Sequence, residues 1–178
     1  MKYLKTFENK EPEKDVEYYD NGNIKSIIYS KNGYHREDGP AYQVWNENGI
    51  LIKMIYYING SKHREDGPAY QTWYNNGNKK TIVYYLNDTR HNINSPAHIK
   101  WFENGNIKSV SYKLNGKIHR EDGPATQEWY KNGKKNYEAY YLNGIRYNRE
   151  EWLDELKYMN SPHYEEQKML YEIDKYNL

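Results

Sequence analysis

The stretch His63-Arg64-Glu65-Asp66-Gly67-Pro68-Ala69 decides the fold, because the chain repeats it at a constant spacing. The same seven residues stand at 35–41 and at 119–125, and a degenerate copy, His-Asn-Ile-Asn-Ser-Pro-Ala, stands at 91–97. The copies begin 28 residues apart, and the same step is kept by Trp45, Trp73, Trp101 and Trp129. A strict period of this length is typical of a stacked repeat array.

Each 28-residue unit contains two turn sequences, which together predict two strands per unit. The first turns are Asn48-Gly49, Asn76-Gly77, Asn104-Gly105 and Asn132-Gly133. The second turns are Asn59-Gly60, Asn87-Asp88, Asn115-Gly116 and Asn143-Gly144. Asn-Gly between alternating segments favours a type I′ hairpin turn, in which both central residues need a positive φ. We therefore expect a mainly β fold, a single-layer antiparallel β-meander repeat array of roughly ten strands with a C-terminal helical cap.

The Asp66-Gly67-Pro68 step predicts an interruption of each long strand, such as the segment 61–74. Proline has no N–H to give to a β-ladder, and it fixes φ. We expect the strand to break or bulge at this step, with the aspartate side chain closing the bend as an Asx-type turn.

Alternation along the strands assigns side chains to two faces of the sheet. Positions such as Ala41, Trp45, Met54 and Tyr56 recur with little change from unit to unit, which predicts an inner face whose residues stack on their copies. Positions on the opposite face vary between units, which is typical of a surface for solvent or a partner. The tyrosines of this outer face are Tyr42, Tyr57, Tyr70, Tyr85 and Tyr141, which would either bind a partner or, if the C-terminal helices cover them, belong to the core.

The ends of the chain depart from the period and predict three parts. These are a lead-in at 1–15, the repeat array at 16–147 and the helical cap at 148–178. Asn148 with Glu151 three residues later predicts a capped helix start, and Ser161 followed by Pro162 predicts a second one. The apolar side of the second helix would be formed by Leu170, Ile173 and Tyr176. The pair is expected to cover the last strand, and the alternative is a helix that docks a partner.

Composition narrows the possible functions. The chain has 26 basic and 25 acidic residues, and this balance argues against nucleic acid as the main ligand. It has no cysteine, which excludes disulfides and thiolate chemistry, and 22 tyrosines against two phenylalanines. No signal-like or membrane-length apolar stretch is found, so we expect a cytoplasmic protein, in the host cytoplasm if it is virus-encoded.

Each intact loop pairs a histidine with an aspartate three residues later, which raises the question of a metal or catalytic site. The pairs are His35/Asp38, His63/Asp66 and His119/Asp122. Pairs in successive units lie too far apart to share an ion, and a metal usually needs three or four protein ligands. We therefore expect no metal, no cofactor and no catalytic residue, and we expect the histidine to hydrogen-bond the neighbouring loop.

A row of arginines is predicted along the same margin, each beside a glutamate: Arg36, Arg64 and Arg120. One interpretation is a solvated ladder of ion pairs, which contribute little singly. The other is a comb of guanidinium groups for a nucleotide or another anionic small molecule.

The segments Tyr84-Tyr85-Leu86-Asn87 and 140–144, together with the His-to-Ala loops, resemble the variant membrane-occupation-and-recognition-nexus (MORN) repeats. The resemblance spans roughly 16–147 and implies an elongated β-hairpin array used for binding rather than catalysis. Similar repeats of bacterial, phage and giant-virus type include members with a toxin–antitoxin label, which implies an inhibitor or counter-defence role. The long His-to-Ala loop and the degenerate third copy depart from the ordinary MORN pattern.

From these observations we expect a non-enzymatic binding protein that occludes a protein partner through its outer tyrosines. The alternative is an anion-binding sponge along the arginine row.

Overall fold

The computed structural model describes residues 11–93, 95–167 and 169, in which hairpins follow one another along the chain. In chain order the strands are β1 (Glu13–Tyr18), β2 (Ile24–Ser30), β3 (Tyr42–Trp45), β4 (Leu51–Ile55), β5 (Tyr57–Ile58), β6 (Ser61–Lys62), β7 (Tyr70–Trp73), β8 (Lys79–Val83), β9 (Tyr85–Leu86), β10 (Thr89–Arg90), β11 (His98–Trp101), β12 (Ile107–Ser111), β13 (Lys113–Leu114), β14 (Lys117–Ile118), β15 (Thr126–Trp129), β16 (Lys135–Leu142) and β17 (Ile145–Tyr147). Eleven of them form one antiparallel sheet in the order β1-β2-β3-β4-β7-β8-β11-β12-β15-β16-β17. This order confirms the predicted mainly β meander.

In the first three units the second turn closes a short hairpin outside the large sheet, which the sequence pattern did not predict. These hairpins are β5 with β6, β9 with β10, and β13 with β14. The predicted break of the segment 61–74 is confirmed, but it is wider than a bulge. Strand β6 ends at Lys62 in a small hairpin, and β7 begins at Tyr70 in the large sheet. The segment 63–69 between them is thus a true loop, consistent with a proline that cannot donate to a ladder.

The two turns of a unit differ in backbone conformation, although both contain Asn-Gly. At the second turn both central residues have a positive φ, as in Asn59 at 49° and Gly60 at 81°, which confirms the type I′ prediction. At the first turn that prediction is wrong, because only the glycine has a positive φ, as in Gly49 at 77°. There a backbone bond closes a longer loop, as from the N–H of Asn46 to the carbonyl oxygen of Ile50 at 2.9 Å, and in this unit the side chain of Asn46 also accepts the N–H of Ile50 at 3.0 Å.

Asparagines connect the first turns of successive units along one margin of the sheet. The Nδ2 atoms of Asn104 and Asn106 both donate to the carbonyl oxygen of Lys131, at 3.1 and 3.0 Å. Equivalent bonds join Asn76 and Asn78 to Glu103 O, and Asn21 and Asn23 to Glu47 O. The asparagine after a turn glycine is therefore a contact between units.

Buried residues lie on both faces of the large sheet, whereas the alternation predicts that only the inner face is buried. Ala41 and its three copies are fully buried. Ile55 is also buried, and it lies on the outer face because it pairs across strands with Tyr42 and Tyr70. The four tryptophans of the repeats are only half-buried. Among the described residues no two indoles are in ring contact, so the predicted stacking on copies is wrong for them. Copies stand two strands apart, roughly 9.6 Å, which is too far for stacking.

The array ends on helix α1 (Arg149–Met159), which begins with the predicted capping box. Asn148 Oδ1 accepts the N–H of Glu151, and Glu151 Oε2 accepts the N–H of Asn148, both at 3.0 Å. The helix packs against β16 and β17. Its buried residue is Trp152, whose ring lies 4.9 Å from that of Tyr140. The helix thus covers the last strands through one aromatic contact.

A second helical segment follows at 162–167, and Ser161 Oγ accepts the N–H of Tyr164 at 3.2 Å, which confirms the predicted N-cap. The predicted apolar residues Leu170, Ile173 and Tyr176 lie outside the described residues. Within the described part of the chain, no helix combines the length and the apolar character needed to cross a membrane.

Candidate binding surfaces

Four loops line the margin opposite the asparagines, and we call them His loops 1 to 4: 35–41, 63–69, 91–97 and 119–125. In each, the histidine Nδ1 accepts the backbone N–H of the asparagine in the next hairpin turn. These bonds are Asn59 to His35 at 3.1 Å, Asn87 to His63 at 3.3 Å, Asn115 to His91 at 3.1 Å and Asn143 to His119 at 3.0 Å. The predicted hydrogen bond from histidine to its neighbour is confirmed. The histidines therefore tie consecutive units together.

Each intact His loop holds its arginine against a tyrosine ring. In loop 2 the Nε of Arg64 donates to Asp66 Oδ1 at 2.7 Å, and its Cζ lies 4.1 Å from the ring centroid of Tyr56. A Cβ added to Gly67 would stand 3.1 Å from the same Cζ. Loops 1 and 4 repeat this arrangement with Arg36 on Tyr29 at 4.0 Å and Arg120 on Tyr112 at 3.9 Å. The guanidinium group is thus enclosed by a ring, a carboxylate and a glycine.

The ion pair in these loops corrects the predicted role of the aspartate. Rather than closing an Asx-type turn, Asp38, Asp66 and Asp122 bind the arginine two residues earlier. This hydrogen bond lowers the pKa of each of the three carboxyl groups. It also raises the pKa of Arg36 and Arg64. The arginine side chains are only 20–24% exposed. The predicted row of arginines is present, but each guanidinium group is already paired with an aspartate carboxylate.

Loop 3 keeps the histidine tie but lacks the arginine. Asn92 takes the arginine position, and its Nδ2 donates to Ser95 Oγ at 2.8 Å. Ile93 stands where the other loops have glutamate, and it is 75% exposed. The loss of Arg, Asp and Gly from this copy is therefore a joint change, because in the intact loops these residues contact one another.

The outer-face tyrosines form a second surface, which we call the tyrosine face: Tyr34, Tyr42, Tyr57, Tyr70 and Tyr85. The ring of Tyr34 lies 5.0 Å from Tyr57 and 5.7 Å from Tyr42. Lys62 Nζ lies 5.7 Å from the ring centroid of Tyr57 and 5.5 Å from that of Tyr85. The sequence analysis missed Tyr34 and Lys62, although both immediately precede a loop histidine.

Four residues of the tyrosine face are half-buried, and Tyr34 is exposed. Burial raises the pKa of Tyr42, Tyr57 and Tyr70, and neighbouring tyrosines add to this shift. Among the described residues, α1 packs against β16 and β17 at the far end of the sheet, so it leaves these rings uncovered. Tyr141, the fifth predicted tyrosine, lies apart from them in β16, where it pairs with Arg146.

A cluster of basic groups lies beside the tyrosine face around His98. Burial, together with the charges of Lys100, Arg90 and Lys113, lowers the pKa of His98 to about 4. Burial and Arg90 also lower the pKa of Lys113. In the sequence, the only signal for His98 was that the residue at this position changes between units, where its copies are Tyr42, Tyr70 and Thr126.

The fold and these surfaces define a class, a single-layer antiparallel β-repeat protein that presents a tyrosine face and a row of loops. In the described ranges, no three histidine or acidic side chains are placed to hold a metal ion. Comparison of the chain with protein-family models, with curated proteins and with solved structures found no match.

Proposed function

We propose that this chain is a non-enzymatic, variant MORN-type binding protein that covers part of a protein partner with its tyrosine face. The observation that carries the proposal is the contiguous cluster of Tyr34, Tyr42 and Tyr57, continued by Tyr70 and Tyr85, on a face that helix α1 does not cover. Tyrosine offers a large contact area at low entropic cost and is enriched in protein interfaces.

The charges around these rings favour a partner with an acidic surface. Lys53 lies over Tyr42 at 5.7 Å, and Lys62 lies between Tyr57 and Tyr85. Basic side chains at the edge of an aromatic patch steer an oppositely charged partner and set its orientation. A protein that covers an acidic functional surface in this way acts as an inhibitor, which agrees with the antitoxin-like or phage counter-defence role implied by the resemblance.

The alternative, an anion sponge along the arginine row, has less support. Each guanidinium in that row already shares its charge with an aspartate and lies on a ring. An anionic ligand would have to compete with these contacts.

The proposal is tested by substitutions that the fold itself already accepts at equivalent positions. Y57K/Y85K copies Lys113, and Y42T/Y70T copies Thr126, so both variants are expected to fold. Affinity capture from the native host followed by mass spectrometry should identify a partner with the wild type and lose it with either variant. The control R36Q/R64Q/R120Q, checked by circular dichroism, should keep it. Loss with the control alone would instead support the arginine row.

A further inference from the structure

A cleft opens between each pair of consecutive His loops, with a tyrosine of the inner face on its wall. The three clefts that contain Tyr56, Tyr84 and Tyr112 are equivalent. In each, the backbone N–H of the loop histidine donates to the carbonyl oxygen of the cleft tyrosine: His63 to Tyr56, His91 to Tyr84, and His119 to Tyr112. The three clefts therefore share one backbone arrangement and differ in their side chains.

The cleft between loops 2 and 3 differs from the other two in having no guanidinium on the ring of its own tyrosine, although Arg64 of loop 2, paired with Asp66, also lines it. Tyr56 and Tyr112 carry Arg64 and Arg120 on their rings, whereas Asn92 lines the cleft of Tyr84. This cleft has a volume of about 530 Å³, against about 360 Å³ between loops 1 and 2 and about 410 Å³ between loops 3 and 4. Among the described residues, no cationic group lies over the ring of Tyr84.

The end of the array shows that a ring in this row is covered even where its arginine is absent. Asn148 stands in the next arginine position, and there Trp152 of helix α1 lies against Tyr140 at 4.9 Å. The chain thus covers Tyr29, Tyr56, Tyr112 and Tyr140 with a flat side-chain group of its own, three of them with arginine. Among the described residues no such group covers the ring of Tyr84, so the ring can accept a group from another molecule.

We propose that the cleft between loops 2 and 3 binds an arginine side chain of a polypeptide ligand, whose guanidinium lies on Tyr84 as Arg64 lies on Tyr56. The polar atoms around the cleft fit such a group. Glu65 lines it with a carboxylate that is 85% exposed, and the amide of Asn92 and the hydroxyl of Ser95 stand in the opposite loop. The exposed Ile93 at the same edge offers an apolar contact to the residue beside that arginine.

The geometry favours arginine over lysine. A planar guanidinium stacks flat on an aromatic ring and is weakly hydrated, whereas an ammonium is a strongly hydrated point charge. This site lies on the loop margin rather than on the tyrosine face, so it does not depend on the proposed function.

The test is an NMR titration of the full ¹⁵N-labelled chain with the peptides acetyl-Gly-Arg-Gly-amide and acetyl-Gly-Lys-Gly-amide. Saturable shifts are expected at the amides of Tyr84 and Asn92 with the arginine peptide, at millimolar concentration, and about five-fold weaker binding with the lysine peptide. Shifts that are not saturable, that spread equally over all four His loops, or that are equal for both peptides would overturn the proposal.

A matched variant fills the cleft with the chain's own sequence. N92R/I93E/N94D/S95G makes loop 3 identical to the other loops, so it is expected to fold and to place the introduced guanidinium in the way of the ligand. The shifts at Tyr84 should then be absent on addition of the arginine peptide. A second variant, Y84L, removes the ring and should lose binding while retaining the β-sheet circular dichroism spectrum. Undiminished binding by the filled variant would contradict the proposed site.

Discussion

The guanidinium of Arg64 explains why three neighbouring residue types recur together in the intact His loops. Its hydrogen bond to Asp66 fixes its direction, and its plane lies on the ring of Tyr56. Gly67 is required by the close approach of the arginine rather than by its own φ. A loop that loses the arginine no longer needs the other two, as loop 3 shows.

Replacing Gly67 by alanine tests this dependence. We expect a loss of about 1 kcal/mol in the free energy of unfolding, because the new methyl group would stand 3.1 Å from both Cζ and Nε of Arg64. Urea denaturation measures the loss. In an R64N background the same substitution should cost almost nothing, and an equal cost in both backgrounds would disprove the coupling.

His98 predicts an acid-sensitive stability. Its pKa is lowered to about 4 in the folded chain from an ordinary 6.5, so between these values the unfolded chain binds a proton that the folded chain does not. Stability should therefore be fully present above about pH 6.5 and fall as the pH decreases to about 4.

The urea midpoint measured from pH 7 to pH 4 checks this expectation for His98. The variant H98T copies Thr126, and it should show a smaller decrease over this range than the wild type. Parallel profiles for the two proteins would show that other groups cause the pH dependence.

At the residue scale, the sequence located the arginines but not their contacts. The sequence pattern predicted each arginine beside a glutamate and an aspartate that closes the turn. The ring of Tyr56 lies eight positions before Arg64, and only the folding back of the β5–β6 hairpin brings them together. A linear pattern contains no signal for that distance.

At the scale of the element, hydrogen bonds at both margins of the sheet join each unit to the next. One margin uses asparagine side chains that reach the backbone of the next first turn, and the other uses histidines that accept from the next second turn. The period and the turn residues predicted the hairpins. They did not predict that the first turn is longer than type I′, because the backbone bond that closes it, such as Asn46 N–H to Ile50 O, joins residues outside the Asn-Gly pair.

The substitution N106A tests the asparagine margin. Loss of the 3.0 Å bond to Lys131 O should lower the free energy of unfolding by about 0.5–1 kcal/mol, the usual contribution of such a hydrogen bond. Thermal denaturation would measure it. The matched control is K134A, at the same position in the last turn of this type, which should be nearly neutral.

At the scale of the whole molecule, stability should be distributed along the array, because each unit contacts mainly its neighbours. The strand order of the large sheet follows the chain throughout, so among the described strands no distant segment closes the structure. The period predicted this arrangement. It did not predict the contact between the cap and the last inner tyrosine, since Trp152 lies outside the repeat.

Removing this contact with W152A should destabilise the C-terminal end first. We expect a loss of about 3 kcal/mol, because a buried indole and its bond to Arg120 O at 3.2 Å are both removed. Hydrogen exchange should show faster opening of β16 and β17 than of β3 and β4. L153A, at an exposed neighbouring position, serves as the control, and uniform opening along the array would contradict a local cap.

His91 retains its bond to the next turn although the rest of loop 3 has changed. The histidine bond that joins the units is thus separate from the residues that fill the cleft. A cleft can therefore be opened or filled at any loop while the contact between units is kept. If loop 2 carried the residues of loop 3, the clefts of Tyr56 and Tyr84 would both be open, about 10 Å apart, the distance between alternate strands. A polyproline II peptide with arginines three positions apart presents them on one side at about 9.3 Å, so the pattern of open and filled clefts would set which spacing of arginines the array binds.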